Sequence, residues 1–194
     1  MSQDVWLVVG LGNPGPGHAA NRHNVGQMVL DELAVRVGGR FKATPGHRAQ
    51  VLEGRLSMGG PKVVLAKPTS YMNLSGGPTS SLSKYFNVPA ERVIAVHDEV
   101  DVDFDAVRVR TGGSENGHNG LRDMTKALGT RDYQRVRVGV GRPPGRQQTA
   151  DYVLSNFSST ERKTLPFVLD AAADAVEAIV NDGPAAAADR INAR

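Results

Sequence analysis

The chain contains no cysteine. That removes disulfides, thiolate nucleophiles, Cys-ligated zinc and iron–sulfur clusters together. Nor is there any run close to the roughly 20 apolar residues that a membrane-spanning helix needs. The N-terminus, MSQDVW, has no basic region followed by an apolar one, so it does not read as a secretory leader. Internal repeats and low-complexity tails are lacking too. The expectation is a soluble, cytoplasmic protein with a single domain, 1–194, whose 40% hydrophobic content suffices for a sizeable core.

What is present is unevenly distributed. The formal net charge is +3 and the isoelectric point is near 9.4. Residues 108–146 carry nine basic side chains (Arg108, Arg110, Arg122, Lys126, Arg131, Arg135, Arg137, Arg142, Arg146) against three acids, Glu115, Asp123 and Asp132. Just before them, residues 97–105 hold five acids and no lysine or arginine. A basic field beside an acidic pocket suits a polyanionic substrate. An ordinary solvated surface has the same composition, and charge alone does not separate the two.

Valine-rich apolar runs predict strands at 5–11, 50–56, 62–66, 92–97, 106–110 and 134–140. Between them lie helical patterns. Val25, Met28, Val29, Leu33 and Val37 recur at helical spacing, and Gly38-Gly39 stops them. Residues 74–86 read as a weaker helix, and 120–128 as another, ended by Gly129. Ser158-Ser159-Thr160-Glu161 has the form of a capping box, and a long apolar stripe follows from Leu165 to Val180. Asn181-Asp182-Gly183-Pro184 closes that helix and opens a short final one. The alternation predicts an α/β fold, a single domain with a twisted mixed β-sheet flanked by helices. Residues 141–149, GRPPGRQQT, are the candidate for a mobile loop or lid.

The stretch VVGLGNPGPGHAANRHNVG at 8–26 contains G-x-G-x-x-G, the dinucleotide-binding pattern. In that pattern the third glycine opens a helix whose N-terminus takes the pyrophosphate. Here Gly15 is followed by Pro16-Gly17, and helical periodicity starts only near Val25. The acidic residues about 20 positions on, Asp31 and Glu32, fall inside that helix. No cofactor is therefore expected, and the glycines read as a tight strand exit.

Several residue sets could carry chemistry. His23 lies at or just before the first turn of the Val25 helix, where the helix dipole disfavours imidazolium. It is expected to be neutral near pH 7 and able to act as a general base, although a capping histidine would look the same. Asp98 follows a strand, at the end where open α/β sheets place ligands, and could orient a histidine. Two motifs, KPTSYMNLSG at 67–76 and GGSENGHNGL at 112–121, each follow a strand and lead into a helix. With Asn13, their Asn73 and Asn119 would converge if the strands are neighbours. Asparagine amides bind carbonyls, hold water or form oxyanion holes, and they also simply favour turns. Ser114 sits in a near miss of G-x-S-x-G. His97, Asp98 and His118 are a conceivable zinc set, but no paired-ligand motif accompanies them and no metal is expected.

Taken together, the chain resembles the bacterial peptidyl-tRNA hydrolase family. The carriers are VVGLGNPG at 8–15, NRHNVG at 21–26, KPTSYMNLSG at 67–76, HDEVD at 97–101, GHNGLRD at 117–123 and RVRVGVGRP at 135–143. The resemblance implies hydrolysis of the ester between peptide and tRNA, without metal or cofactor, by a protein that is usually monomeric and needs no protein partner. His23 would be the base that activates water and Asp98 its partner. Asn13, Asn73 and Asn119 would bind substrate and position the water or carbonyl, and Met72 would line the peptide side. Arg110 and Arg137 would clamp the 5′ phosphate of the tRNA. His18 occupies a substrate-side position where the family most often has tyrosine. Asn116 stands for a glycine and Arg110 for the commoner lysine. The sequence leaves two other readings open: a non-catalytic RNA-binding module on the same fold, and a serine esterase acting through Ser114.

Overall fold

The structure, a computed structural model, describes residues 4–194. Seven strands form one sheet: β1 (Val5–Gly10), β2 (Lys42–Thr44), β3 (Ala49–Arg55), β4 (Lys62–Pro68), β5 (Val93–Glu99), β6 (Val107–Thr111) and β7 (Gln134–Gly139). The helices are α1 (Val25–Val37), α2 (Gly76–Tyr85), α3 (Asn119–Leu128), α4 (Thr149–Val153), α5 (Ser159–Asp182) and α6 (Pro184–Asn192). The strand order is β2-β3-β4-β1-β5-β7-β6. The four central strands, β4, β1, β5 and β7, run parallel, and the flanking strands are antiparallel. The predicted mixed sheet with helices on both faces is what forms.

The central strands are continuous apolar runs because both of their faces are covered. On β1, Trp6 and Val8 pack toward α1, α5 and α6, while Leu7 and Val9 pack toward α2 and α3. Helix α1 contributes the buried stripe Val25, Val29, Leu30 and Leu33 and ends at Gly38, which adopts the left-handed conformation at φ 80°. The capping box forms as predicted: the Ser158 hydroxyl accepts from the Glu161 N–H, and the Glu161 carboxylate accepts from the Ser158 N–H.

The boundaries differ where local pattern is weak. β2 has only three residues, too few for a periodicity to register. The helix expected at 74–86 is split into a 3-10 turn, Met72–Leu74, and α2. The expected loop at 141–149 runs irregularly to 148, and α4 begins at Thr149. β5 continues past the predicted end at 97 and includes Asp98 and Glu99, so these acids are sheet residues and both are buried.

Two glycines bring α1 against the sheet. A Cβ on Gly26, in the first turn of α1, would lie 2.1 Å from the Val96 carbonyl oxygen of β5. One on Gly10 would lie 2.6 Å from the Leu30 side chain. The glycine pattern at 10–15 thus serves close helix–sheet packing and a turn, Gly15 having φ 93°.

Candidate active site

A cleft of about 730 Å³ opens at the C-terminal ends of the parallel strands. That is where an open α/β sheet receives ligands, because the chain leaves neighbouring strands in opposite directions there. Asn13 comes from the exit of β1, Met72 and Asn73 from that of β4, Asp98 from the end of β5, and Ala150 and Leu154 from the segment after β7.

His23 sits in a 3-10 turn, Arg22–Asn24, immediately before α1. Its Nδ1 lies 2.8 Å from Asp98 Oδ2. A carboxylate only accepts, so Nδ1 carries the proton and Nε2 is left as the acceptor. Burial by itself lowers the His23 pKa, but the charge of Asp98 and the hydrogen bond to it outweigh that, and the net shift is upward from 6.5. This corrects the expectation of a depressed value from the helix dipole: a carboxylate in contact acts more strongly than the end of α1.

The other oxygen of Asp98 is occupied as well. His118 Nε2 lies 2.8 Å from Asp98 Oδ1. On its far side, His118 Nδ1 accepts from the Leu121 N–H at 3.3 Å and so caps α3. That cap assigns the tautomer: the proton is on Nε2, pointing at Asp98. Burial alone would raise the Asp98 carboxyl, yet the charges and hydrogen bonds of His118 and His23 pull it well below the ordinary carboxylate range. His97, fully buried beneath this group, donates from Nδ1 to the Asp98 carbonyl and has no partner for Nε2 among the described residues. Burial and then His118 lower it to about 3, so it is neutral.

The asparagines arrive by different routes. Asn13 and Asn24 exchange hydrogen bonds, the Asn13 N–H to Asn24 Oδ1 at 3.0 Å and Asn24 Nδ2 to the Asn13 carbonyl at 2.8 Å. This pair closes the loop that returns His23 over the sheet. Asn13 Oδ1 also accepts from the Met72 N–H at 2.7 Å, and its amide nitrogen has no partner among the described residues. Asn73 and Asn119 line the cleft with no side-chain partner among the described residues. Asn119 is not delivered by a strand exit at this end, as expected, because β6 runs antiparallel and ends at the far edge. The chain instead comes back through 112–118, supported by the buried Arg135, which donates to the Ser114 carbonyl at 2.6 Å.

The basic segment is less free than its composition suggests. Arg131 pairs with Glu115, Arg137 with Glu99 and Arg142 with Asp101, and Arg135 is buried. Among the described residues, Arg108, Arg110, Arg122, Lys126 and Arg146 have no ion pair. Arg108 and Arg137 are opposite in the β6–β7 register, with Arg110 two residues along the same face.

The structure therefore brings His23, Asp98, Asn13, Met72, Asn73 and Asn119 around one cleft. Arg110 and Arg137 lie on the sheet face beside it, outside the lining. His18 is also outside the lining, its Nδ1 3.1 Å from Asn21 Oδ1. Ser114 is exposed, lies outside the cleft, and its hydroxyl accepts from the Asn116 N–H. The ligand-capable atoms of His23, Asp98 and His118 lie within 4.8 Å of one another. This is not the zinc set considered from sequence, since His97 turns away to a carbonyl. Both histidine nitrogens already share protons with Asp98. From its sequence His118 reads only as a possible metal ligand, and its bond to Asp98 is not visible there; the one local signal is its position one residue ahead of α3.

Comparison with known proteins finds that a family described as peptidyl-tRNA hydrolase matches residues 7–194. The chain is 66% identical over 184 residues to a peptidyl-tRNA hydrolase of Arthrobacter sp. (strain FB24), covering 95% of this chain and 94% of that one. It is 63% identical to that of Paenarthrobacter aurescens (strain TC1), with the same coverage. The crystal structure of peptidyl-tRNA hydrolase from Acinetobacter baumannii superposes with a TM-score of 0.90 at 32% identity, covering 100% of this chain and 97% of that one.

Proposed function

The chain belongs to the peptidyl-tRNA hydrolase family and hydrolyses the ester between peptide and tRNA, and we propose that it does so with a water activated by His23. The observation that carries this reading is the 2.8 Å contact of His23 Nδ1 with Asp98, which places the proton of the neutral imidazole on Nδ1 and makes Nε2 the accepting nitrogen of that form at the cleft.

The reaction follows from that tautomer. Water gives a proton to His23 Nε2 as its oxygen attacks the carbonyl carbon of the ester. Asp98 stabilises the imidazolium that forms. The carbonyl oxygen becomes an oxyanion, for which the amide nitrogens of Asn13, Asn73 and Asn119 are the available neutral donors. When the intermediate collapses, the carbon–oxygen bond to the ribose breaks, and His23 returns its proton to the departing ribose oxygen. No covalent enzyme intermediate is needed, because an ester already has an adequate leaving group.

Substrate recognition divides between two surfaces. Met72 and the apolar walls of the cleft take the peptide. Arg110 and Arg137 face the 5′ phosphate, with contacts to phosphate rather than bases. His18, in the loop between Asn13 and His23, would meet the substrate only beyond the cleft lining. The cleft is complete within one chain, which supports action as a monomer, and the substrate is a product of translation, which supports a cytoplasmic location. No helix among the described residues is long and apolar enough to cross a membrane.

The deciding experiment compares peptide release from purified peptidyl-tRNA by wild type and His23→Ala. At least about a hundredfold loss of turnover is expected, with substrate still bound. Undiminished turnover by the variant would overturn the mechanism.

A further inference from the structure

Part of the cleft wall is formed by α4 and the residue after it: Thr149, Ala150, Val153 and Leu154. Tyr152 and Val153 of this short helix pack into the core, and its polar ties to the body run largely through two residues that precede His23. The Arg22 side chain is nearly buried. One terminal nitrogen donates to the Ser155 hydroxyl at 2.6 Å and to the Tyr152 carbonyl at 3.2 Å. The other donates to Glu161 Oε1 at 2.7 Å. The guanidinium also lies over the Tyr152 ring, 4.1 Å from its centroid. The Arg22 main-chain N–H donates to the Ser155 carbonyl at 3.0 Å, and Asn21 Nδ2 donates to Asn156 Oδ1 at 2.9 Å. Apart from these, the Tyr152 hydroxyl donates to the Val140 carbonyl.

We propose that Arg22 is a positioning residue for ester hydrolysis: its guanidinium registers the α4 wall, and the peptide lying on it, against His23, the next residue in the chain. This rests on His23 being the base. The chemistry fits an arginine. A planar fork can serve three acceptors, two on α4 and the turn that ends it and one on α5, while stacking on an aromatic ring, and lysine cannot reproduce that. Glu161 makes the arrangement more exacting, because the same carboxylate oxygen closes the capping box of α5. The orientation of α4 is thus tied to the start of α5 and to the catalytic turn by one side chain. A wall displaced by a fraction of an ångström holds the ester carbon out of line with the water on Nε2, and such misplacement is expressed in turnover.

The role predicts a dependence on the length of the peptide. A substrate whose peptide reaches α4 depends on the register; an N-acetylaminoacyl-tRNA, with little to lay on that wall, does not. In Arg22→Lys, kcat for tripeptidyl-tRNA is expected to fall about tenfold, while kcat for N-acetylaminoacyl-tRNA changes less than twofold. A purely structural role lowers the fraction of folded enzyme and scales both substrates alike. Glu161→Gln keeps a capping side chain at its position and removes the charge, so it provides the same comparison if the lysine variant does not fold. Equal losses on both substrates, or no loss on either, overturn the proposal. His23→Ala, run alongside, reads the base separately: if it stays active while Arg22→Lys still discriminates by length, the base assignment fails and the register stands.

Discussion

Asp98 accepts a hydrogen bond from His23 with one oxygen and from His118 with the other, each at 2.8 Å. The His118 tautomer is held by the Leu121 N–H, so the two histidines are not equivalent. In Asp98→Asn the amide has one acceptor and one donor for two partners. Its oxygen goes to His118, whose proton is pinned on Nε2. Its NH2 then faces His23 Nδ1 and forces the His23 proton onto Nε2, where a base is needed. Turnover is expected to fall at least about a hundredfold. Adding His118→Ala frees the amide to rotate, and part of the activity should return. Single-turnover rates for the two variants check this, and a double variant no faster than the single one counts against it.

The arginines beside the cleft should separate by measurement. Arg110 has no ion pair among the described residues, whereas Arg137 donates from Nε to the buried Glu99 at 3.2 Å. Arg110→Ala is expected to weaken tRNA binding and lower the slope of log Kd against log salt by roughly one, with an unchanged melting temperature. Arg137→Ala should lower the slope similarly and also the melting temperature by about a few degrees, since Glu99 is left without its cation. Salt titrations of binding together with thermal melts distinguish them. Identical slopes in wild type and Arg110→Ala would remove Arg110 from the phosphate contact.

His97 makes a stability contribution with a definite sign. Its pKa is about 3 when folded, against an ordinary value of 6.5 in the unfolded chain. Between these values the unfolded chain binds a proton that the folded protein does not, so this contribution is intact above pH 6.5 and declines as pH falls through the window. From pH 6.5 to 5 the loss is about 2 kcal/mol. His23, whose folded pKa is raised, acts oppositely: its contribution is full below 6.5 and is lost as pH rises through the folded value. Urea unfolding of wild type and His97→Gln at several pH values isolates the first effect. The wild type should lose stability more steeply on acidification, and parallel curves would contradict the assignment.

Gly26 is where the helix that follows His23 touches the strand that carries Asp98. A Cβ there would meet the Val96 carbonyl oxygen at 2.1 Å, so α1 must retreat. Gly26→Ala is expected to cost about 2 kcal/mol or more, roughly a 5 °C drop in melting temperature. Activity per folded molecule should fall too, because the retreat lengthens the His23–Asp98 contact. Thermal melts and kcat at a temperature well below the transition test both parts.

The glycine-rich opening stretch shows how far local reading reached. Its mismatch with a dinucleotide site was visible in the spacing, since Gly15 does not open a helix. What the glycines do instead was not visible, because the partners of Gly10 and Gly26 are Leu30 and Val96, distant in sequence. The same limit applies to His18: its position in the motif marked it, but its bond to Asn21 and its distance from the cleft lining depend on the return of the loop. For the basic segment, composition counted charges and could not see that Glu99, Glu115 and Asp101 occupy three of them.

The sequence by itself determined the class of fold, the helices with strong caps and the identity of six residues of the cleft. Hydrophobic period, turn chemistry and contiguous motifs are local properties, and they survive without coordinates. Only the tertiary structure decided how those residues act on one another. It turned Asp98 toward two histidines rather than one, raised His23 where the helix dipole alone argues for the reverse, and brought Asn119 in by the loop over Arg135. Each of these is a contact between segments far apart in the chain, and its strength depends on distance and burial, which no single segment encodes.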